Sequence, residues 1–343
     1  MSPSITLPLV RLGGRTGLKV SRLCLGTMTF GNAQWGCDEE ESVRIINNYR
    51  DAGGNFIDTA DIYSQGVSEK IVGKAIRGQR DEWVLATKCA GVIDPGPNGK
   101  GLSRKHVIRA CDNSLRRLGT DFIDLYQIHV WDRQTPIEET LDALTDLRRQ
   151  GKVRYIGCSN FPAWMLMKAE YESRERRLAA FDCLQPQYSL SVRGIERELL
   201  PAALHLGLAI IPWSPLDGGL LTGKYKAGEK PAEGTRAGDN ASNTWQERFS
   251  DDHKRKVVEA LRAASIKTGR SCASLALAWV LSRPGVTAPI LGIRREDQLA
   301  DAYDSLQPVE AATLEELTEA SRFDHGYPYG FIDFFNAWIN SDV

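Results

Sequence analysis

The stretch Asn55-Phe-Ile-Asp-Thr-Ala-Asp-Ile-Tyr-Ser-Gln-Gly66 decides how this chain is read. Phe56 and Ile57 read as the end of a short buried strand. Asp58 follows where the apolar run stops, and Tyr63 lies in the connection to a helical pattern beginning near Glu69. An acid at a strand's C-terminal end, with a phenol in the next loop, suits a parallel α/β protein, whose ligands bind beyond the carboxyl ends of the strands. Taken alone, the stretch also fits a turn-capping Asp and a surface-packed Tyr. The ends of the other strands decide between the two.

Outward from this stretch the same rhythm repeats. Apolar runs at Leu23–Leu25, Phe56–Ile57, Val84–Ala86, Phe122–Ile128, Val153–Cys158, Cys183–Gln187, Ala209–Ile211 and Ala288–Leu291 read as strands. Helical patterns alternate with them at about 39–52, 68–77, 104–117, 137–150, 162–176, 196–206 and 253–282, the last long enough for two helices. Ile137, Leu141, Leu144 and Leu147 mark the apolar face of the fourth. Eight strands, each followed by a helix, imply parallel strands joined by crossovers, and eight is the number that closes into a (β/α)8 TIM barrel. An open doubly wound sheet is the rival, but no Gly-x-Gly-x-x-Gly turn follows the first strand.

Three additions flank the barrel pattern. Leu9–Leu12 and Leu18–Val20, around Gly13-Gly-Arg-Thr-Gly17, read as an N-terminal hairpin. A long loop spans 217–250 after the seventh strand, a length that points to function or mobility. An extra helix near 310–321 precedes a tail bearing Tyr327, Tyr329, Phe331, Phe334, Phe335 and Trp338, suited to docking on the barrel exterior or to lining a pocket rim. With no linker to divide it, residues 1–343 read as a single domain.

Composition narrows the class further. The 43 basic and 44 acidic residues give a net charge of −1, which favours neither nucleic acid nor a membrane surface as partner. Seven scattered cysteines (24, 37, 89, 111, 158, 183 and 272), several inside apolar runs, read as buried reduced thiols of a cytoplasmic protein. The N-terminus lacks a basic leader, and no stretch approaches the ~20 apolar residues of a membrane span.

The strand ends then supply a chemical set: Asp58 and Tyr63 after the second strand, Thr87-Lys88 at the third, Ile128-His129 at the fourth. A phenol titrates near ~10, and a nearby ammonium lowers that value while an Asp holds the ammonium in place. His129 is placed to orient a carbonyl oxygen or to help relay a proton. The set suits protonation of an alkoxide forming on a carbonyl, with Tyr63 as the acid. Neither an activated Ser or Cys nucleophile nor a metal-ligand cluster is visible, so no metal is expected.

Such chemistry needs an electron source, and the later strand ends read as its cradle. Ser159 and Asn160 suit a carboxamide, Trp213 offers a stacking face, and glycines 218, 219 and 223 with Lys224 suit a pyrophosphate. Arg294 and Arg295 open a helix after the eighth strand, a favourable place for phosphate.

These residues fall into motifs: Leu-Gly-Thr-Met-Thr-Phe-Gly (25–31), Asp-Thr-Ala-Asp-Ile-Tyr (58–63), Ala-Thr-Lys (86–88) and Gln-Ile-His (127–129). Gly-Cys-Ser-Asn-Phe (157–161), Trp-Ser-Pro-Leu (213–216) and Gly-x-Arg-x-x-x-Gln (292–298) complete the series. In this order and spacing the chain resembles the aldo-keto reductases, in the branch of bacterial and potassium-channel-β-subunit members, from Arg11 to about Leu306. The resemblance implies a catalytic tetrad of Asp58, Tyr63, Lys88 and His129 and a nicotinamide dinucleotide, NADP(H), bound without a Rossmann fold. It assigns Ser159, Asn160 and Gln185 to the carboxamide and Trp213 to the nicotinamide face. Ser214, Leu216, Gly218 and Lys224 would take the pyrophosphate, and Arg294 with Gln298 the adenosine end. Gly26, Thr27, Met28, Pro215 and Gly292 would border the same cofactor. The family pattern Gln-Leu-x-x-Asn ends here in Ala302, leaving Asp301 to meet the adenine amino group.

The implied function is an oxidoreductase interconverting a small-molecule carbonyl and its alcohol. Trp35 and Trp131, with Tyr63, His129 and Met28, would wall the substrate pocket. The rival is a nucleotide-binding regulatory protein of the channel-β-subunit type with slow or vestigial catalysis. His129 argues for the enzyme, because the resembling subunits carry Asn at the matching position. Oligomeric state is left open by the sequence.

Overall fold

The computed structural model describes residues 6–32, 34–93, 95–225, 231–232, 235–239 and 251–340. A two-stranded antiparallel hairpin, β1 (Leu9–Arg11) and β2 (Lys19–Ser21), precedes eight parallel strands. These are β3 (Cys24–Gly26), β4 (Phe56–Asp58), β5 (Val84–Cys89), β6 (Ile123–Ile128), β7 (Val153–Ser159), β8 (Cys183–Gln185), β9 (Ala209–Ile210) and β10 (Ile290–Gly292). Their order in the sheet is sequential, with β10 beside β3. Between β9 and the run into β10, the Thr287 N–H donates to the Ile210 carbonyl (2.7 Å) and the Ile290 N–H to the Pro212 carbonyl (2.8 Å). The sheet therefore curls round on itself with helices outside it, the (β/α)8 arrangement that the alternation predicts.

Two apolar layers hold this shape. The larger lies between sheet and helices and includes Ile45, Leu85, Tyr126, Leu144, Ile156 and Trp279, all buried. The smaller fills the barrel interior, where Phe56, Val84, Leu125, Ala209 and Ile290 meet Leu12 and Val20 of the hairpin. The hairpin thus plugs the N-terminal end of the barrel and leaves the C-terminal end to the polar residues. Gly13 permits the plug. Its φ is +68°, and a Cβ there would lie 2.5 Å from the Ala209 backbone nitrogen.

Helix ends follow local chemistry. Asp38 caps the helix Glu39–Asp51 by accepting the Glu41 N–H, and three glutamates occupy its first turn. Ser103 caps Arg104–Leu118 in the same way. The 253–282 pattern is two helices, Asp252–Thr268 and Cys272–Leu281, separated at Gly269, which adopts φ +71°. The helix expected from 196 begins only at Leu199, after a 3-10 turn at Gly194–Glu196.

Several strands run one to three residues beyond the predicted ends, so that Asp58, Lys88 and Ser159 belong to the ladder itself. Backbone pairing does not depend on side-chain polarity, and these side chains are stabilised by one another. The tail also differs from expectation. Tyr329–Ile339 is a helix tied to the barrel at Glu198 by Tyr329, while its Phe331, Phe334, Phe335 and Trp338 are exposed and absent from the cleft lining. Much of 217–250, including 240–250, lies outside the described residues. No described helix is long and apolar enough to cross a membrane, and the seven cysteines are buried and unpaired.

Candidate active site

The barrel mouth opens into a cleft of about 590 Å³. Asp58 ends β4, and its backbone carbonyl accepts the Thr27 N–H from the neighbouring β3 connection (3.0 Å). Lys88 on β5 is fully buried beneath the cleft floor and pairs with Asp58, while also donating to the Thr59 carbonyl (2.8 Å). Its Nζ stands 3.3 Å from the Tyr63 hydroxyl. Tyr63 begins a 3-10 turn, Tyr63–Gly66, in which Ser64 and Gln65 have φ of +47° and +55°. Two non-glycine residues in the left-handed region mark a strained connection, of a kind that clusters at functional sites. Ser64 anchors it by donating to the Phe30 carbonyl (2.9 Å).

The second oxygen of Asp58 accepts from the side-chain amides of both Gln127 and Gln185, each at 3.0 Å. Gln127 is a site residue that the sequence reading passed over as part of a motif. It lies two residues before His129 on β6 and opposite Lys88 in register, which puts it on the same inward face. A polar residue alternating with His at a buried strand end is the signal for it. Gln185 was assigned to a carboxamide, but its amide nitrogen is already committed to Asp58 and to Gln127.

Electrostatics sort the titratable groups. Burial pulls the Lys88 ammonium down, but Asp58 and Tyr63 outweigh it, so Lys88 is raised and stays protonated. Tyr63 is also raised, contrary to the expectation from its cation. Burial and the Asp58 charge push the phenol up more than Lys88 pulls it down. His129 is lowered to about 3 by burial and then by Lys88, and is a neutral imidazole. Its ring stands edge-on to Tyr63, with centroids 5.9 Å apart. Asp61, fully buried behind the floor with neither carboxylate oxygen hydrogen-bonded, is raised to about 7 by burial and then by Glu69.

Around this floor the later strands build a wall. Asn160, at φ +57°, donates to the His129 carbonyl (2.8 Å) and to Ser159 Oγ (3.0 Å), and accepts from the Trp213 indole (3.2 Å). One side chain thereby ties the ends of β6 and β7 to the segment after β9 and fixes the indole's orientation. Ser159 in turn donates to the Gln185 carbonyl (2.7 Å). Beyond Trp213 the chain turns through Ser214 (φ +52°), Asp217 (φ +45°), Gly218 (φ +67°) and Gly219 (φ +104°), a backbone fold that exposes main chain to the cleft. On the far wall, the Gln298 side chain accepts the N–H groups of Arg294 (3.0 Å) and Arg295 (3.3 Å).

The cleft is lined by Gly26, Thr27, Met28, Asp58, Tyr63, His129, Ser159, Asn160, Gln185 and Trp213, and by Ser214, Pro215, Leu216, Gly218 and Lys224. Gly292, Arg294, Gln298, Asp301 and Trp35 complete that wall, together with Asn32 and Ile62, which the sequence reading did not single out. Lys88, Gly223, Arg295 and Trp131 fall outside the lining. Lys88 lies under the floor. The Arg295 guanidinium pairs with Asp297. Trp131 packs edge-on against Trp164 at 5.1 Å, under the Arg133 guanidinium. The helix following Arg295 is also only six residues long, Leu299–Asp304, so its dipole adds little there. Among the described residues, no group of three His, Cys, Asp or Glu is placed to hold a metal ion.

Comparison with known proteins agrees with this geometry. The model of the aldo/keto reductase family matches residues 22–322. An uncharacterized oxidoreductase, YrpG, of Bacillus subtilis is 45% identical, covering 86% of this chain and 90% of its own length. Versiconal hemiacetal acetate reductase of Aspergillus parasiticus is 37% identical (88% and 95%). A probable voltage-gated potassium channel subunit beta of Oryza sativa is also 37% identical (88% and 92%). A barrel mouth carrying this residue set, and a family match over most of the length, lead to one assignment: the chain is an oxidoreductase belonging to the aldo/keto reductase family.

Proposed function

We propose that this chain, as one barrel domain, is an NADP(H)-dependent carbonyl reductase that also runs as an alcohol dehydrogenase, with Tyr63 as general acid and base. The observation carrying the reading is the Tyr63 hydroxyl 3.3 Å from the buried, Asp58-paired Lys88, at the edge of the 590 Å³ cleft. The cleft fits that cofactor chemically. Trp213 presents an oriented flat face, Gly218 and Gly219 bare backbone, and Lys224 and Arg294 cationic side chains. Ser159, Asn160, Gln185, Ser214, Leu216, Gln298 and Asp301 would hold its polar parts. A bound reduced nicotinamide supplies the hydride.

The chain's own residues supply the proton. With its pKa raised, Tyr63 keeps its hydroxyl proton at neutral pH until an alkoxide forms against it. Lys88, held by Asp58, then stabilises the phenolate left behind, which is the interaction that grows along the reaction. Neutral His129 is available to hydrogen-bond the same oxygen without adding charge. Asp58 is itself fixed by Gln127 and Gln185, so the ammonium does not wander.

The plant relative named as a channel subunit raises the alternative of a nucleotide-binding regulator. The complete proton-holding set supports the enzyme instead. A panel of aldehydes and ketones, followed by loss of reduced-nicotinamide absorbance, tests the choice. Turnover of at least one carbonyl above the cofactor's background oxidation is expected. Tight NADPH binding with no turnover across the panel would favour the regulator.

A further inference from the structure

The helix Tyr329–Ile339 carries an apolar stripe that the barrel does not cover. Tyr329, Asp333, Asn336 and Asn340 recur along one stripe at helical spacing, and Phe331, Phe334, Phe335 and Trp338 along another. Tyr329, at the base of the polar stripe, donates to Glu198 on the barrel. The Asn336 and Asn340 amides bond back to the helix's own carbonyls (3.0 and 2.8 Å). The aromatic stripe is exposed along its length. Phe331 is 57% exposed, Phe334 68%, and Ile332 and Ile339 45% and 67%. Its rings are already ordered against each other, with Phe331–Phe335 centroids 4.6 Å apart and Phe335–Trp338 5.7 Å.

The size of this face indicates what covers it. At about 200 Å² for a whole aromatic side chain, the exposed fractions leave on the order of 600 Å² of apolar surface once the isoleucines are counted. That reaches the upper end of the largest patch on ordinary monomers. Two such faces together remove roughly 1,200 Å² from water, the lower end of a stable interface. Charge argues against a lipid surface. From Tyr327 to Ile339 the chain has one ionisable acid, Asp333, and no Lys or Arg, whereas surface-bound helices carry cations beside their apolar face. Asp333 also lies on the polar stripe, so a twofold pairing of aromatic stripes keeps the two copies of it out of the contact.

We propose that this helix is a dimerisation element, whose aromatic stripe packs against the same stripe of a second copy of the chain about a twofold axis. The contact is self-complementary and closed, so it yields dimers and not filaments. It lies outside the residues lining the catalytic cleft, so each barrel keeps its own site.

Sedimentation equilibrium of the full chain, with Phe331→Asp/Phe334→Asp beside the wild type, tests this. Neither residue packs in the barrel core, so the variant should fold and unfold like the wild type by circular dichroism. A wild-type dimer and a variant at least a hundredfold weaker in self-association are expected. A wild-type monomer at tens of micromolar, or a dimer that survives the double substitution, would overturn the proposal. So would a monomer that co-floats with phosphatidylcholine vesicles, which would make the occupant a lipid surface.

Discussion

Lys88 and Asp58 form an ion pair with 0% and 2% of their side chains exposed, and every other interaction on the floor of the cleft is arranged around it. Such a pair offers little net stability, yet removing one partner strands a charge in the core at a cost of about 3–5 kcal/mol. Asp58→Asn should therefore lower stability by roughly that amount in urea denaturation. Lys88→Met, which leaves Asp58 with both glutamine donors, should be the milder change. A difference in the opposite order would show that the glutamines do not hold the carboxylate.

The neutral state of His129 has consequences on both sides of the folding equilibrium. Its folded pKa, about 3, lies below the unfolded value near 6.5. Below pH ~6.5 the unfolded chain takes up a proton that the folded chain refuses. Stability from this group is thus lost as pH falls from about 6.5 towards 3, at about 1.4 kcal/mol per pH unit. The imidazole carbon resonances should show no titration between about pH 5 and 8. A midpoint near 6.5 would show that burial and Lys88 leave this imidazole unperturbed.

Asp61 behaves in the opposite sense. Its pKa is raised to about 7 from an ordinary 3.8, so the folded chain holds a proton that the unfolded chain releases. Stability falls as pH rises from about 4 to about 7 and is level beyond, a loss on the order of 4 kcal/mol. Asp61→Asn should raise the melting temperature at pH 8 and barely change it at pH 4. Equal effects at the two pH values would place a normal, charged carboxylate there.

Most of the barrel is legible in the sequence because each element announces itself locally. Apolar runs such as Val84–Ala86 alternate with periodic helices, and the inward-facing polar residues stand where those runs stop. What is not legible comes from pairing across strands. Nothing near Gln127 reveals that it and Gln185 converge on one oxygen of Asp58, because the two glutamines are joined only through the barrel's curvature. The raised Tyr63 follows from burial, which a loop sequence does not display. Trp131 reads as a pocket wall from its place after His129. Its neighbour in the fold, Trp164, comes from the helix Ala163–Arg176 beyond β7.

The proposed use of NADP(H) is tested at Arg294, which lines the cleft, whereas Arg295 does not. The 2′-phosphate of NADPH is a dianion, and a charge-assisted hydrogen bond contributes roughly 1.5–3 kcal/mol, or about ten- to a hundredfold in affinity. Arg294→Ala should weaken NADPH by that factor and leave NADH nearly unchanged, read by quenching of tryptophan fluorescence. Equal losses for both cofactors would show that this arginine does not read the 2′-phosphate.

Tyr63→Phe removes the proton that the proposed mechanism delivers while keeping the ring against His129 and Lys88. The direct measurement is the single-turnover rate of carbonyl reduction with NADPH already bound, beside the cofactor's dissociation constant. The rate should fall by about 10²–10⁴-fold, the usual contribution of general acid catalysis, with cofactor affinity unchanged within about twofold. A variant that keeps more than about a tenth of the wild-type rate would contradict the assignment.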